Sequence, residues 1–175
     1  MYHIGIAAYS GVPSETLSSK ARILVREILS RVRNVVFIVG AYMGLMRIVV
    51  DEVLRLNGRV MLVIPRDYEG YEYPDGCIIV RTGLDIRGRS IILVRSSDIL
   101  VGLGGGLGTL IEVLIALAEG KPVFLLLGEG LPTDKILKAY PDGVVDRRVM
   151  NRIVYSDDPR ALAKLIVETI RSLKS

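Results

Sequence analysis

Short apolar runs alternate with longer stretches of helical spacing along most of the chain. Residues 3–8, 35–39 and 59–64 are largely apolar on consecutive positions and predict strands, the third stopped by Pro65. Residues 17–32 predict a helix opened near Ser14 to Thr16. Residues 44–56 predict a second helix, with Leu45, Ile48, Val49, Val53 and Leu56 on one face and Asn57-Gly58 as its stop. Residues 66–76 read as a turn-rich loop and 77–81 as a fourth strand. Residues 85–97 predict a short helix, although 91–94 also suit a strand. A strand at 98–103, a helix at 109–119 and a strand at 122–127 follow. After a further loop come a short strand at 152–155 and a closing helix at 159–173.

Strands that are apolar on both faces are buried on both faces, and alternation with helices then requires a parallel sheet covered on each side. The expected fold class is therefore α/β: a single domain over residues 1–175, a doubly wound Rossmann-like parallel sheet with helices on both faces. Such sheets bind ligands outside the carboxyl ends of their strands. That directs attention to the loops at 9–15, 39–44, 65–76 and 103–109.

Composition narrows the chemistry. Half of the 175 residues are hydrophobic, which excludes disorder. The longest apolar stretch, Ile99 to Ile111, is glycine-rich, ends at Glu112 and is too short to span a bilayer. The N-terminus has no basic region ahead of its apolar residues and does not read as a signal peptide. With one cysteine, Cys77, and one histidine, His3, neither an internal disulfide nor a zinc site of ordinary composition is expected. A soluble cytoplasmic protein with no metal and no membrane association is the expectation. The net charge is +4, but the basic residues are scattered, so an anionic small ligand is favoured over nucleic acid. Scarce amides and abundant Ile, Val, Leu and Arg suggest a thermophilic source.

The densest signal is Leu103-Gly104-Gly105-Gly106-Leu107-Gly108-Thr109, between a strand and a helix. Glycines there let backbone N–H groups wrap an anion, and the helix N-terminus adds a favourable dipole. Neither G-x-G-x-x-G nor the P-loop pattern can be placed on it, which disfavours a dinucleotide or a P-loop triphosphate site. Thr109 and Glu112 match a capping box, T-x-x-E. Yet the helix is apolar nearly all round, and a carboxylate buried in it must be paired or must face a polar cavity. Glu112 is thus a candidate site residue as well as a candidate cap. Ser10, at the end of the first strand, could bond a ribose or phosphate, and the loop tyrosines Tyr68, Tyr71 and Tyr73 could stack on a purine or pterin. Cys77 lacks a partner histidine and reads as a small packed residue.

Gly105-Gly106-Leu107-Gly108-Thr109-Leu110-Ile111-Glu112 resembles the GGxGTxxE part of the PGGxGTxxE motif of the LONELY GUY family. Gly40-Ala41-Tyr42-Met43-Gly44-Leu45-Met46 resembles that family's GGxxGLM turn, and Asn57-Gly58-Arg59 with Val63-Ile64-Pro65 its GGxVxGVIP strand. The order and spacing match from Ile4 to Leu127. The resemblance implies a Rossmann-like nucleotide-binding protein, commonly a homodimer. It also implies cleavage of the N-glycosidic bond of nucleoside 5′-monophosphates, with no cofactor required. By the same resemblance Glu112 and Arg89 are catalytic. Gly104, Gly105, Gly106, Gly108 and Thr109, with Gly40, Gly44, Met46 and Ser10, hold the phosphate and nucleotide. The family proline is Gly104 here, the lysine after the catalytic arginine is Ser90, and the methionine three further on is Leu93. These differences bring the chain nearer a branch that includes molybdenum-cofactor carriers, which would hold a pterin without catalysis. A single-stranded DNA binder is the third reading.

Overall fold

In the computed structural model, which describes residues 1–173, the apolar runs become seven parallel strands of one sheet. The chain runs β1 (Tyr2–Ala8), α1 (Glu15–Arg31), β2 (Val35–Val39), α2 (Gly44–Arg55) and β3 (Arg59–Ile64). A 3-10 turn at Arg66–Tyr68 leads to β4 (Cys77–Arg81) and α3 (Ile86–Arg95). Then follow β5 (Ile99–Leu103), α4 (Leu107–Ala118), β6 (Val123–Leu126), α5 (Asp134–Ala139), β7 (Ile153–Ser156) and α6 (Pro159–Ser172).

The strand order is β4-β3-β2-β1-β5-β6-β7. The chain winds outward from β1 in one direction to β4, then returns to lie β5 against the other side of β1. Ile6 pairs with Val39 on one side and Val101 on the other. The topological switch, and hence the expected crevice, lies at the carboxyl ends of β1 and β5.

Two apolar layers hold the sheet. Ile4, Ile6, Phe37, Leu62 and Phe124 belong to the layer with α1, α2 and α6. Ala7, Val36, Ile38, Leu100 and Leu125 belong to the layer with α3 and α4. Successive strand residues face opposite sides, so both sets must be apolar. Each fully buried aliphatic side chain contributes roughly 1.5–3 kcal/mol of transfer free energy. Helix starts follow local chemistry: Ser14 accepts from Leu17 N–H at 3.0 Å to cap α1, and Asp85 accepts from Gly88 N–H at 2.7 Å to cap α3. Among the described residues, no helix is long and apolar enough to cross a membrane.

The helix expected at 85–97 is present as α3, with residues 91–94 helical rather than strand. The structure departs from expectation at two places. Helix α5 falls in what reads from sequence as loop. Helix α4 begins at Leu107 rather than Thr109, with Gly106 as its N-cap. That last shift removes the capping box. Thr109 is the third residue of the helix and Glu112 the sixth, too deep to reach the orphan amides of the first turn.

Candidate functional site

The loops after β1, β2, β3 and β5 meet at the carboxyl edge of the sheet and enclose a cavity of about 320 Å³. Its size lies at the lower end of small-molecule sites. Ala8, Tyr9 and Ser10 come from the β1 edge, Ala41 and Met43 from the β2 loop, and Pro65 and Tyr68 from the β3 loop. The glycine turn and α4 supply Gly106, Leu107, Gly108, Thr109 and Glu112. Helix α3 adds Ile86, Arg87, Arg89 and Ser90.

The turn after β5 is shaped by backbone conformation. Gly105 sits at φ +140°, and a Cβ there would collide with the Thr109 side chain, so only glycine permits this approach. Gly106 is followed by the first turn of α4, which has no side-chain cap and no acidic residue. Uncapped first-turn N–H groups and the helix dipole favour an anion at this end. A Cβ on Gly106 would meet nothing within 4 Å, since it would point into open space at the cavity wall.

Glu112 and Arg89 are both buried, with 6 % and 7 % of their surface exposed. Arg89 Nη1 donates to Glu112 Oε1 at 3.1 Å, and the Ser90 hydroxyl donates to the same oxygen at 2.9 Å. Burial pushes the Glu112 carboxyl above the usual carboxylate range, opposed by the charge of Arg89 and the Ser90 hydrogen bond. Burial likewise pushes Arg89 down, opposed by Glu112. Arg89 Nε is buried and has no hydrogen-bond partner. A Cβ on Gly40 would collide with the Arg89 guanidinium, so Gly40 provides the space in which that group lies.

Of the residues singled out in the sequence, Ser10, Met46, Arg89, Gly106, Gly108, Thr109 and Glu112 line the cavity. Gly40, Gly44, Gly104 and Gly105 do not line it. Gly44, at φ +51°, instead lies against the backbone of Ser10 and Gly11, and Gly104 lies against Leu131. Tyr68 reaches the cavity, whereas Tyr71 packs edge-on against Tyr68 and Tyr73 donates its hydroxyl to the Tyr68 carbonyl. Cys77 is half-buried on the edge strand β4, and burial pushes its thiol up, away from thiolate reactivity. Sequence reasoning missed Arg87, and read Ser90 only as a departure from a motif. Helical spacing alone gave no signal for either, since Arg87 is two positions and Ser90 one position from Arg89.

The SLOG cluster4 family model matches residues 1–161. The chain belongs to this family. The expected LONELY GUY resemblance also holds beyond SLOG cluster4. The cytokinin riboside 5′-monophosphate phosphoribohydrolase LOG5 of Arabidopsis thaliana is 29 % identical over 174 residues, covering 91 % of this chain and 72 % of that one. An uncharacterized protein of Archaeoglobus fulgidus is 36 % identical over 90 residues, half of this chain, and the match spans only 57 % of that protein's length. The molybdenum cofactor carrier protein of Chlamydomonas reinhardtii superposes with a TM-score of 0.76 at 25 % identity, covering 98 % of both chains. The SLOG cluster4 chain thus has the Rossmann-like fold expected of it, and its glycine turn lies at the carboxyl edge of β5.

Proposed function

We propose that this protein binds a phosphate-bearing nucleotide in the cavity and hydrolyses the N-glycosidic bond of nucleoside 5′-monophosphates. The observation that carries this reading is the Glu112 carboxylate, buried on the cavity wall and too deep in α4 to cap it. Glu112 lies about 4.5 Å along the helix axis from Thr109, next to where the first-turn amides would hold a phosphate. In the reaction the C1′–N bond breaks, water adds its oxygen to C1′, and the base leaves with the proton. Positive charge develops on the ribose during this step, and a fixed carboxylate in a water-poor site stabilises it. No cofactor is needed, because water is the only co-substrate. The likeness to the Arabidopsis phosphoribohydrolase over most of both chains supports the reading.

A second reading is a carrier that holds a pterin phosphate on the same turn without catalysis. It is favoured by the double engagement of Glu112 with Arg89 and Ser90, which a purely structural carboxylate would also show. Full-length likeness to the Chlamydomonas carrier supports it too. Release of free base from a panel of nucleoside monophosphates, with native mass spectrometry of the purified protein, separates the two. The enzyme reading expects turnover. No turnover on any substrate, with a co-purifying pterin, overturns it.

The ligand position has its own test. Gly106→Val should weaken nucleoside monophosphate binding by at least about tenfold, because the new side chain fills the cavity entrance. Thr109→Ala should weaken it less. Calorimetry reads the affinity and thermal melting verifies the fold. Unchanged affinity in Gly106→Val moves the ligand elsewhere.

The protein pairs with a second copy through α4. Leu107, Leu110, Ile111 and Leu114 lie at helical spacing on one face, with Leu107 67 % and Leu114 49 % exposed. Exposed Ile91 adds apolar surface on the neighbouring α3. Light scattering should give a dimer for the wild type and a monomer for Leu114→Glu. A monomeric wild type at tens of micromolar would remove this pairing.

A further inference from the structure

The mouth of the cavity carries an arginine that, among the described residues, no ion pair holds. Arg87, the second residue of α3, is exposed, and its Nη1 stands 3.6 Å from where a Cβ on Gly108 would be. That position adjoins the first turn of α4, whose N-terminus has no side-chain cap. A cation beside the positive end of a helix is unfavourable unless an anion lies between them. Among the described residues, no carboxylate lies within ion-pair distance of Arg87. Asp85, which senses the charge of Arg87, already accepts the Gly88 N–H. Glu112 also senses the charge of Arg87, but its carboxylate is already engaged by Arg89 and Ser90. A second observation on the same wall points to a missing ligand: Arg89, more than nine-tenths buried, leaves Nε without a partner.

Arg89 cannot supply net charge to an anion while Glu112 neutralises it. We infer that Arg87 holds the phosphate of the ligand, clamping it against the α4 N-terminus, while Arg89 holds Glu112 through Nη1 and keeps Nε free to donate to the ligand. Arg87 thereby sets the ligand class: a phosphate monoester rather than the unphosphorylated nucleoside. This inference rests on the reading above only in taking the ligand to carry a phosphate, and it does not require turnover.

The test is calorimetry with AMP, adenosine and inorganic phosphate on the full chain. In Arg87→Gln, AMP and phosphate affinity should fall roughly 10- to 100-fold, the loss of one charge-assisted contact, with adenosine affinity unchanged. Arg87→Lys should restore part of the loss, since a point charge binds phosphate without the bidentate fork. The salt dependence of AMP binding should also become shallower in Arg87→Gln. Arg87 is exposed, so the variant keeps the fold, which thermal melting verifies. Equal AMP affinity in wild type and Arg87→Gln overturns the inference, as does an equal loss for adenosine or no phosphate binding by the wild type. Failure of the hydrolase reading looks different: AMP binds in an Arg87-dependent way but releases no base.

Discussion

Glu112→Gln is expected to lower the hydrolysis of nucleoside 5′-monophosphates by at least ~10²-fold while the fold and nucleotide affinity are retained. Gln has nearly the shape of Glu and can still accept from Arg89 and Ser90, so the contacts that position residue 112 survive in part. What disappears is the negative charge, fixed in a buried wall where it acts on the developing cation without reorganising. Affinity for the monophosphate should hold or rise, because a carboxylate close to a bound phosphate repels it. The pH profile provides a second readout. Glu112 must be ionised to act, so activity is lost as pH falls through its pKa. Burial raises that pKa, so the acid limb of kcat/KM should lie above the ordinary carboxylate range and should be absent from the residual activity of Glu112→Gln. Equal turnover by the wild type and Glu112→Gln would reduce Glu112 to a structural partner of Arg89.

The sheet was legible because its strands are apolar on both faces, which leaves few alternatives to a covered parallel sheet. The location of the site was legible for a topological reason. The four carboxyl-edge loops picked out from the order of elements all contribute to the cavity. Where the reading failed, local patterns misled. The T-x-x-E match at Thr109 and Glu112 is real as a string, but Gly105 at positive φ and Gly106 as N-cap start the helix earlier. Helix α3 looked ambiguous because it inverts the usual pattern. Its polar Arg89 and Ser90 are buried while Ile91 and Ile92 are exposed. A helix that buries charge toward a cavity has weak apolar periodicity, so Arg87 and Ser90 could not be assigned to a face. Helix α5 buries none of its residues and left no periodic trace. The separate roles of the glycines were also hidden. Only the folded arrangement shows that Gly40 makes room for Arg89 while Gly106 opens to the cavity.

Removing Arg89 should destabilise the protein more than any exposed substitution proposed above. Arg89→Met keeps an unbranched chain of comparable reach but leaves Glu112 buried with only the Ser90 hydroxyl as partner. Breaking a buried pair from one side costs roughly 3–5 kcal/mol, because the remaining charge has lost its compensation. The sign of the pH dependence follows from Glu112. Its pKa in the folded protein is raised, so the stability linked to its proton is fully present below the unfolded carboxylate pKa and is lost as pH rises through the folded value. Without the charge of Arg89 that folded value moves higher still. The deficit of Arg89→Met relative to the wild type should therefore be largest at neutral pH and shrink on acidification toward the ordinary carboxylate range. Replacing both partners, Arg89→Met with Glu112→Leu, should recover much of the lost stability, since an apolar pair leaves no buried charge. Urea denaturation of the three proteins at pH 4.5 and 7.5 measures this. A deficit of the same size at both pH values, or a double variant as unstable as Arg89→Met alone, would mean that Arg89 stabilises the fold by packing against Gly40 and α4 rather than by compensating the charge of Glu112.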